Sequence, residues 1–289
     1  MHKTFNIPFM GYKTHCDVFG DIKKNTPLII LHGGPGGCSQ RYEPLIELSN
    51  RGIPVILYDQ LGSGYSKVQG EHYELWTTDT FMDELENLIN YFNLRKYYLL
   101  GHSWGGMLAL SFVINRKHKG LKKLILYSTL PSTKIWNEEH LKMIANYEQS
   151  IKNELTKDLT GEKHDEKIYK KGLKMFYRDH VKATKKKYVF KRKRFPKLFN
   201  QVYKYMWGPS ELFGTGTLKT YNVENELINI NIETLILSGE LDESTPTMNK
   251  LMNDNIRNSK WICYKNCHHS SYVEEPELVL NDISNFLND

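Results

Sequence analysis

The amino-acid sequence predicts an α/β protein in which a mostly parallel sheet is flanked by helices and carries an inserted helical cap. Two observations carry this prediction. Short apolar runs alternate with segments of helical periodicity, and the alternation stops between residues 130 and 231, where lysine-rich helical patterns replace it. We therefore expect a core of residues 1–130 and 232–289 and a helical cap insertion of residues 131–231.

Six apolar runs have the composition of strands buried on both faces, because few polar residues interrupt them. These runs are 27–31, 54–58, 97–100, 121–127, 234–237 and 261–264. Two earlier segments, 4–8 and 13–19, are predicted to form a hairpin at one edge of the sheet. Helical periodicity is found at 41–50, 77–92, 104–116, 247–256 and 277–287 in the core, and at 138–159 and 167–180 in the cap.

The chain has 289 residues, of which 40% are hydrophobic, enough for one large core or two smaller ones. No run approaches the roughly 20 apolar residues of a membrane span, and the first residues lead into polar sequence rather than a signal-peptide core. We therefore expect a cytoplasmic protein with no membrane partner. The cysteines are scattered without a Cys-x-x-Cys pair, which favours reduced thiols over a zinc site or disulfide framework.

The net charge of +6 is concentrated in one segment, because residues 180–210 contain ten lysines and arginines but no acid. A nucleic-acid surface is one interpretation of this basic run, and a solvated helical face of the cap is the other. We favour the helical face and predict no nucleic-acid partner, because no nucleic-acid motif accompanies the run. Its aromatic residues also have the spacing of a helix that packs inward; they are Tyr188, Phe190, Phe195, Phe199 and Tyr203.

The segment Gly101-His102-Ser103-Trp104-Gly105 follows a predicted strand and precedes a predicted helix. A strand, a sharp turn and a helix with serine at the apex form the nucleophile elbow of serine hydrolases. The flanking glycines fit this geometry because strand and helix approach too closely there for side chains. The pattern therefore favours Ser103 as a nucleophile over a surface serine in a glycine-rich turn.

A second glycine-rich segment, residues 32–37, follows the predicted strand at 27–31. Ligands of open α/β sheets lie at the carboxyl ends of the strands, so this loop is expected beside the elbow. An oxyanion hole needs two backbone N–H donors, which we assign to Trp104 after the nucleophile and to Gly34 in the loop. A phosphate-binding loop is disfavoured because neither a Gly-Lys-Ser/Thr ending nor GxGxxG spacing is present.

Acidic and histidine residues follow the last two predicted strands. Residues 238–243 read Ser-Gly-Glu-Leu-Asp-Glu, and His268 and His269 follow the run at 261–264. Serine, then acid, then histidine is the chain order of α/β-hydrolase triads, in which histidine takes the serine proton and the acid orients the ring. The order alone leaves both histidines open.

Taken together, these motifs resemble those of the proline iminopeptidases, including the tricorn-interacting aminopeptidase type. The resemblance also rests on residues 58–64 (Tyr-Asp-Gln-Leu-Gly-Ser-Gly) and 239–246 (Gly-Glu-Leu-Asp-Glu-Ser-Thr-Pro). Members have the α/β-hydrolase fold and release N-terminal residues, often proline, from short peptides without a metal or cofactor. The resemblance implies Ser103 as nucleophile and Asp242 as the orienting acid. It selects His269 as the base, because the family histidine stands five residues before a glutamate that is here Glu274.

The resemblance further implies two ligands for the positively charged N-terminus of a substrate. Glu211 matches the glutamate of the family's Gly-Pro-x-Glu stretch, and Glu243 matches the second amine ligand. Trp104 and Trp207 are expected to form apolar walls for a pyrrolidine ring. The expected partners are short peptides with a free N-terminus, bound by a monomer or small homo-oligomer.

Two alternatives remain at this point. One is an amino-acid amidase or carboxylester hydrolase on the same scaffold, and the other is a non-catalytic binding protein that has kept the fold.

Overall fold

An eight-stranded sheet forms the centre of the computed structural model, which describes residues 1–183, 185–191 and 201–289. The strands are β1 (His2–Phe9), β2 (Tyr12–Phe19), β3 (Leu28–Leu31), β4 (Val55–Asp59), β5 (Tyr97–His102), β6 (Leu121–Tyr127), β7 (Glu233–Gly239) and β8 (Ser259–Tyr264). Their spatial order is β1-β2-β4-β3-β5-β6-β7-β8. The β1–β2 and β2–β4 pairs are antiparallel and all other pairs are parallel, so the α/β fold class and the edge hairpin are confirmed.

Nine α-helices occur among the described residues. They are α1 (Thr78–Tyr91), α2 (Trp104–Asn115), α3 (Thr133–Met143), α4 (Gln149–Thr160), α5 (Glu166–Phe176), α6 (Gln201–Met206), α7 (Pro246–Asn255), α8 (Ser271–Glu274) and α9 (Pro276–Asn288). Within the described ranges, none of these helices is both long and apolar enough to cross a membrane.

Alternate residues of the central strands belong to two separate hydrophobic clusters, one on each face of the sheet. In β3, Ile29 and Leu31 pack into the first cluster, whereas Leu28 and Ile30 pack into the second. All residues of β3 and β4 are buried, as expected for strands covered by helices on both faces. Burial on both sides fixes the strand register, so the loops at the carboxyl ends of the strands have defined positions.

The segment between β6 and β7, residues 131–231, carries α3 to α6 and is called the cap segment below. It contributes a third hydrophobic cluster that includes Ile151, Leu155, Phe176 and Phe213. In its described residues, the bridge between Ser132 and Asn222 is the only strand-like pairing, as the sequence predicted. The cap segment thus has a small apolar core of its own.

Three predicted helices differ from the observed ones. Residues Ser39–Arg51 form 3₁₀ turns with a break at Tyr42 instead of an α-helix, because Pro44 lies inside the segment and cannot donate a backbone hydrogen bond. The predicted cap helix at 138–159 is divided between α3 and α4, since the chain leaves the helix at the buried Ile144. The segment 167–180 ends as an α-helix at Phe176 and continues as a π-turn, Tyr177–Val181.

Part of the basic run is helical and part is not: Tyr203 lies in α6 and packs into the first core cluster, as predicted, whereas residues 185–191 contain no helix. Residues 185–191 form an irregular segment that is held to the core by Lys187 and Tyr188, whose N–H groups both donate to the carbonyl oxygen of Val273. Tyr188 and Phe190 pack against the second core cluster. The predicted helical spacing therefore fails for these residues, and the predicted positions Phe195 and Phe199 lie outside the described residues.

Strand and helix approach each other closely at the turn after β5. A Cβ atom at Gly101 would overlap the carbonyl oxygen of Gly105, and one at Gly105 would overlap the carbonyl oxygen of Leu31. Between them, Ser103 has φ of 56° and ψ of −125°, outside the conformations that L-residues prefer. The Thr129 hydroxyl donates a 2.7 Å hydrogen bond to the Ser103 carbonyl oxygen and holds this conformation.

We expect Gly105→Ala to destabilise the protein, although alanine is favoured over glycine by about 1 kcal/mol within helices. The added methyl group must displace the backbone of β3, which costs about 1–3 kcal/mol when no space is available. Urea unfolding of both proteins measures the change. A variant more stable than the wild type would show that the approach of α2 to β3 is looser than described.

Candidate active site

A cavity of about 660 Å³ opens beside the elbow at the carboxyl ends of the central strands. Four of the predicted site residues, Gly34, Ser103, Glu211 and His269, line it. The rest of its lining comes from Gly33, Gly37, Cys38, Arg41, Tyr42, His102, Tyr177, Val181, Lys182, Ala183, Lys186, Phe190, Ser270, Tyr272 and Val273. Core and cap segment thus both contribute to the cavity, as expected for open α/β sheets with an insertion.

The predicted oxyanion donors flank Ser103. Trp104 is the first residue of α2, so its N–H group has no acceptor within the helix. Gly34 has φ of 127°, a conformation that glycine adopts readily. A Cβ atom at its neighbour Gly33 would lie 3.0 Å from the Ser103 Cβ atom, so the loop passes directly over the serine. The structure therefore places the loop that carries Gly34 and the first residue of α2, Trp104, beside the same serine.

His269 and Asp242 form a buried pair. The His269 Nδ1 atom lies 2.8 Å from Asp242 Oδ1, which also accepts a 2.9 Å hydrogen bond from the Ser244 N–H group. Burial alone lowers the pKa of His269, but the charge and hydrogen bond of Asp242 outweigh burial and raise it above the usual value. Burial likewise raises the pKa of Asp242, but His269 outweighs it, so Asp242 stays ionised.

His268 has a different partner from its neighbour. Its Nδ1 atom lies 2.8 Å from Glu274 Oε1, and its N–H group donates a 2.7 Å hydrogen bond to Glu274 Oε2. His268 does not line the cavity, whereas His269 does. The geometry therefore gives His268 a structural contact and leaves His269 facing the nucleophile side.

Glu211 and Glu243 form a second buried acidic group in the same region. The Tyr203 hydroxyl donates a 2.5 Å hydrogen bond to Glu211 Oε2, while neither carboxylate oxygen of Glu243 has a hydrogen-bond partner in the described chain. Glu243 Oε1 lies 3.5 Å from His269 Nδ1. Burial raises the pKa of Glu211, and burial together with the charges of Glu211 and Asp242 raises the pKa of Glu243. Such a pair favours a bound cation, which would restore both charges.

The two tryptophans predicted to form apolar walls do not line the cavity. Trp104 lies in the first core cluster with its Nε1 atom 2.8 Å from Gln60 Oε1, and Trp207 packs edge-on against Trp136. The apolar part of the lining instead includes Val181, Ala183 and Phe190. The prediction rested on residue type alone. Whether an indole ring faces the cavity or the core depends on tertiary packing, which residue type does not reveal.

A chain of hydrogen bonds that the sequence did not reveal joins the glycine-rich loop, residues 32–37, to His269. The Gly33 N–H group donates to the Tyr42 hydroxyl, the hydroxyl donates to His102 Nδ1, and His102 Nε2 donates to the His269 carbonyl oxygen, each at 2.9 Å. These directions follow because a carbonyl oxygen can only accept, which leaves one N–H group on a neutral ring. Burial lowers the pKa of His102 to about 3, consistent with that neutral ring.

A second set of contacts fixes the loop after β4. Gln60 donates a 2.9 Å hydrogen bond from Nε2 to the His32 carbonyl oxygen and accepts one from Trp104 Nε1. Its backbone N–H group donates to His32 Nε2 at 3.0 Å. Gln60 therefore connects the glycine-rich loop to the first turn of α2. The position of Gln60 in the Tyr58–Gly64 motif could have indicated its importance. Its hydrogen-bond partners could not be predicted, because His32 and Trp104 are distant from it in sequence.

The chain matches the family model for the α/β hydrolase fold over residues 26–276. The parallel sheet, the serine at the elbow and the buried Asp242–His269 pair define an α/β hydrolase of the serine type.

Similarity to individual proteins narrows this class. The chain is 38% identical over 277 residues to the proline iminopeptidase of Lactobacillus acidophilus, covering 94% of this chain and 93% of the relative. It is 35% identical over 284 residues to that of Clostridioides difficile, covering 98% and 97%. The crystal structure of the Mycobacterium smegmatis proline iminopeptidase superposes with a TM-score of 0.83 at 26% identity, covering 99% and 98%. The chain belongs to the proline iminopeptidase family, which confirms the resemblance inferred from the motifs.

A matched pair of variants distinguishes the role of His269 from that of His268. We expect His269→Gln to slow labelling of Ser103 by a fluorophosphonate by at least about 10³-fold, because the proton acceptor is lost. His268→Gln can still contact Glu274 and should label within about threefold of the wild type. An equal loss of labelling rate in both variants would contradict the assignment of His269, rather than His268, as the proton acceptor.

The pH dependence of the same labelling reaction reports the proton acceptor, since the probe itself carries no titrating group. Labelling requires neutral His269, so its rate should rise with pH and reach half of its plateau above pH 6.5, the ordinary histidine value. Asp242→Asn removes the charge that raises this pKa, so the midpoint should move to lower pH while the plateau rate falls by about 10⁴-fold. An unchanged midpoint would mean that another group controls the reaction.

Proposed function

We propose that the protein is a serine aminopeptidase that releases an N-terminal residue, preferentially proline, from short peptides through an acyl-enzyme. The single observation that carries the proposal is the buried Glu243, whose carboxylate has no hydrogen-bond donor in the described chain. A general esterase has no need for an uncompensated acid beside its catalytic histidine. An aminopeptidase does, because its substrates bring a positive charge close to the scissile bond.

Glu211 and Glu243 would bind the substrate amine from two sides. Glu211 belongs to the cap segment and lines the cavity, while Glu243 directly follows the triad aspartate. Both pKa values are raised without a ligand, so a primary or secondary ammonium group of a substrate would be bound as the carboxylates ionise. The site would therefore select substrates whose free N-terminus is one residue away from the bond that Ser103 attacks.

The proposed reaction follows from this placement. The Ser103 hydroxyl attacks the carbonyl carbon of the N-terminal residue while His269 takes its proton, and Asp242 stabilises the resulting imidazolium. The N–H groups of Gly34 and Trp104 stabilise the oxyanion. His269 then gives the proton to the leaving peptide nitrogen, and water hydrolyses the acyl-enzyme by the reverse sequence of proton transfers.

We also propose a domain organisation, a cellular location and a class of partners for the enzyme. We infer a catalytic core of residues 1–130 and 232–289 with a substrate-selecting cap of 131–231. We also infer a cytoplasmic location and short peptides rather than nucleic acid as partners, bound by a monomer or small homo-oligomer.

Replacing Glu211 by Gln tests the amine site. We expect kcat/KM for Pro-naphthylamide to fall by about 10- to 100-fold, because a charge-assisted contact contributes about 1.5–3 kcal/mol. An uncharged acyl ester should be hydrolysed at nearly the wild-type rate. The matched control is the exposed Glu240→Gln, which removes a carboxylate from the loop that carries Glu243 but outside the cavity lining, and it should leave both substrates unaffected.

Two further measurements complete this test. Ser103→Ala should remain folded and lose at least about 10⁴-fold in turnover. An N-acetylated peptide should be a poor substrate of the wild type. Ready cleavage of blocked peptides, or equal loss on charged and uncharged substrates in Glu211→Gln, would favour the amidase or esterase alternative. Near-wild-type turnover by Ser103→Ala would contradict the serine mechanism.

A further inference from the structure

The cavity that contains Ser103 carries charges of both signs. Glu211 is the one acidic residue in its described lining, which also includes three cations, Arg41, Lys182 and Lys186. Burial raises the pKa of Glu211, and the charges of His269 and Arg41 act against that rise, so Arg41 lies within electrostatic reach of the amine site. The cavity is therefore not a uniformly acidic pocket for an amine.

Burial separates the two kinds of charge. Glu211 is only 7% exposed, whereas Arg41, Lys182 and Lys186 are all exposed. The acid thus lies at the inner end of the cavity, and the cations lie where the cavity meets solvent. We call Arg41, Lys182 and Lys186 the cationic rim.

The two rim lysines are not engaged with acidic groups of the described chain. Their neighbour Lys187 forms an ion pair with Glu275 at 2.5 Å, while neither Lys182 nor Lys186 has a described carboxylate within 4.0 Å. Lys185 lies in the same segment but does not line the cavity. The two lysine charges are therefore available to a ligand in the cavity.

The direction of a bound peptide follows from these positions. If the amine lies between Glu211 and Glu243 and the first carbonyl carbon lies at Ser103, the leaving residue extends toward the mouth. One residue spans about 3.5 Å, so the carboxylate of a dipeptide ends just beyond the scissile bond, on the side of the rim. Its negative charge would face the lysines, and a hydrophobic side chain on the leaving residue would meet Ala183 and Phe190.

We propose that the cationic rim is a subsite for the free carboxylate of the leaving residue, so that the preferred substrates are zwitterionic dipeptides with N-terminal proline. This inference rests on the proposed aminopeptidase function and adds a second recognition element at the other end of the substrate. Complementary charges at both ends orient the peptide before it reaches the serine, and they exclude substrates of reversed polarity.

The test compares Pro-Gly with Pro-Gly-amide, which differs only in the terminal charge, by measuring proline release. We expect wild-type kcat/KM to be about 5- to 20-fold higher for Pro-Gly, mainly through KM, since a few exposed ion pairs each contribute a small factor. The preference should shrink when NaCl is raised from about 0.05 to about 0.5 M. Lys182→Gln with Lys186→Gln should abolish most of the preference and leave Pro-Gly-amide within about twofold of wild type.

The matched control is Lys185→Gln with Lys191→Gln, which removes two charges from the same segment outside the cavity lining. It should keep the wild-type preference. Equal wild-type rates on the two substrates, or equal effects of the rim and control pairs, would overturn the cationic rim while proline release still supports the proposed function. No release from Pro-Gly, Pro-Gly-amide or Pro-naphthylamide would instead overturn the proposed function itself.

Discussion

Burial of three carboxylates around one imidazole ring is the constraint on which this site depends. Asp242 and Glu243 are adjacent in sequence and both fully buried, yet their environments are opposite. Asp242 accepts hydrogen bonds from His269 and from the Ser244 N–H group, and its pKa falls. Glu243 receives none from the part of the chain that the structure describes, and its pKa rises. Two adjacent carboxylates thus have opposite surroundings: donors stabilise Asp242 as an anion, whereas Glu243 has none in the described chain.

The cap segment is held against this turn by polar contacts rather than by apolar packing alone. Both ring nitrogens of His140 lie near carbonyl oxygens, Nδ1 at 2.6 Å from Leu212 and Nε2 at 3.0 Å from Glu243. Asp158 accepts hydrogen bonds from Tyr169 and from Ser210, the residue before Glu211. These contacts fix the distance between Glu211 and Glu243, the two proposed amine ligands, which belong to different parts of the chain.

The sequence was sufficient for features that depend on local pattern. Continuous apolar runs predicted the central strands, and the Gly101–Gly105 spacing predicted the elbow, because close approach of strand and helix excludes side chains at both positions. Features that depend on contacts between distant residues were not predictable in this way. The hydrogen bonds of His102 with Tyr42 and His269 join residues 60 and 167 positions apart, and no local pattern encodes them.

In the proposed mechanism, the residues that cleave the bond belong to the core, and residues that select the substrate belong to the cap segment. Ser103, Asp242 and His269 are carried by the sheet, whereas Glu211 and the lysines at 182 and 186 are carried by a segment with its own apolar cluster. Substitutions in that segment can therefore alter which peptides are accepted without moving the reacting atoms. The same architecture can therefore evolve a new peptide specificity while its hydrolytic mechanism stays unchanged.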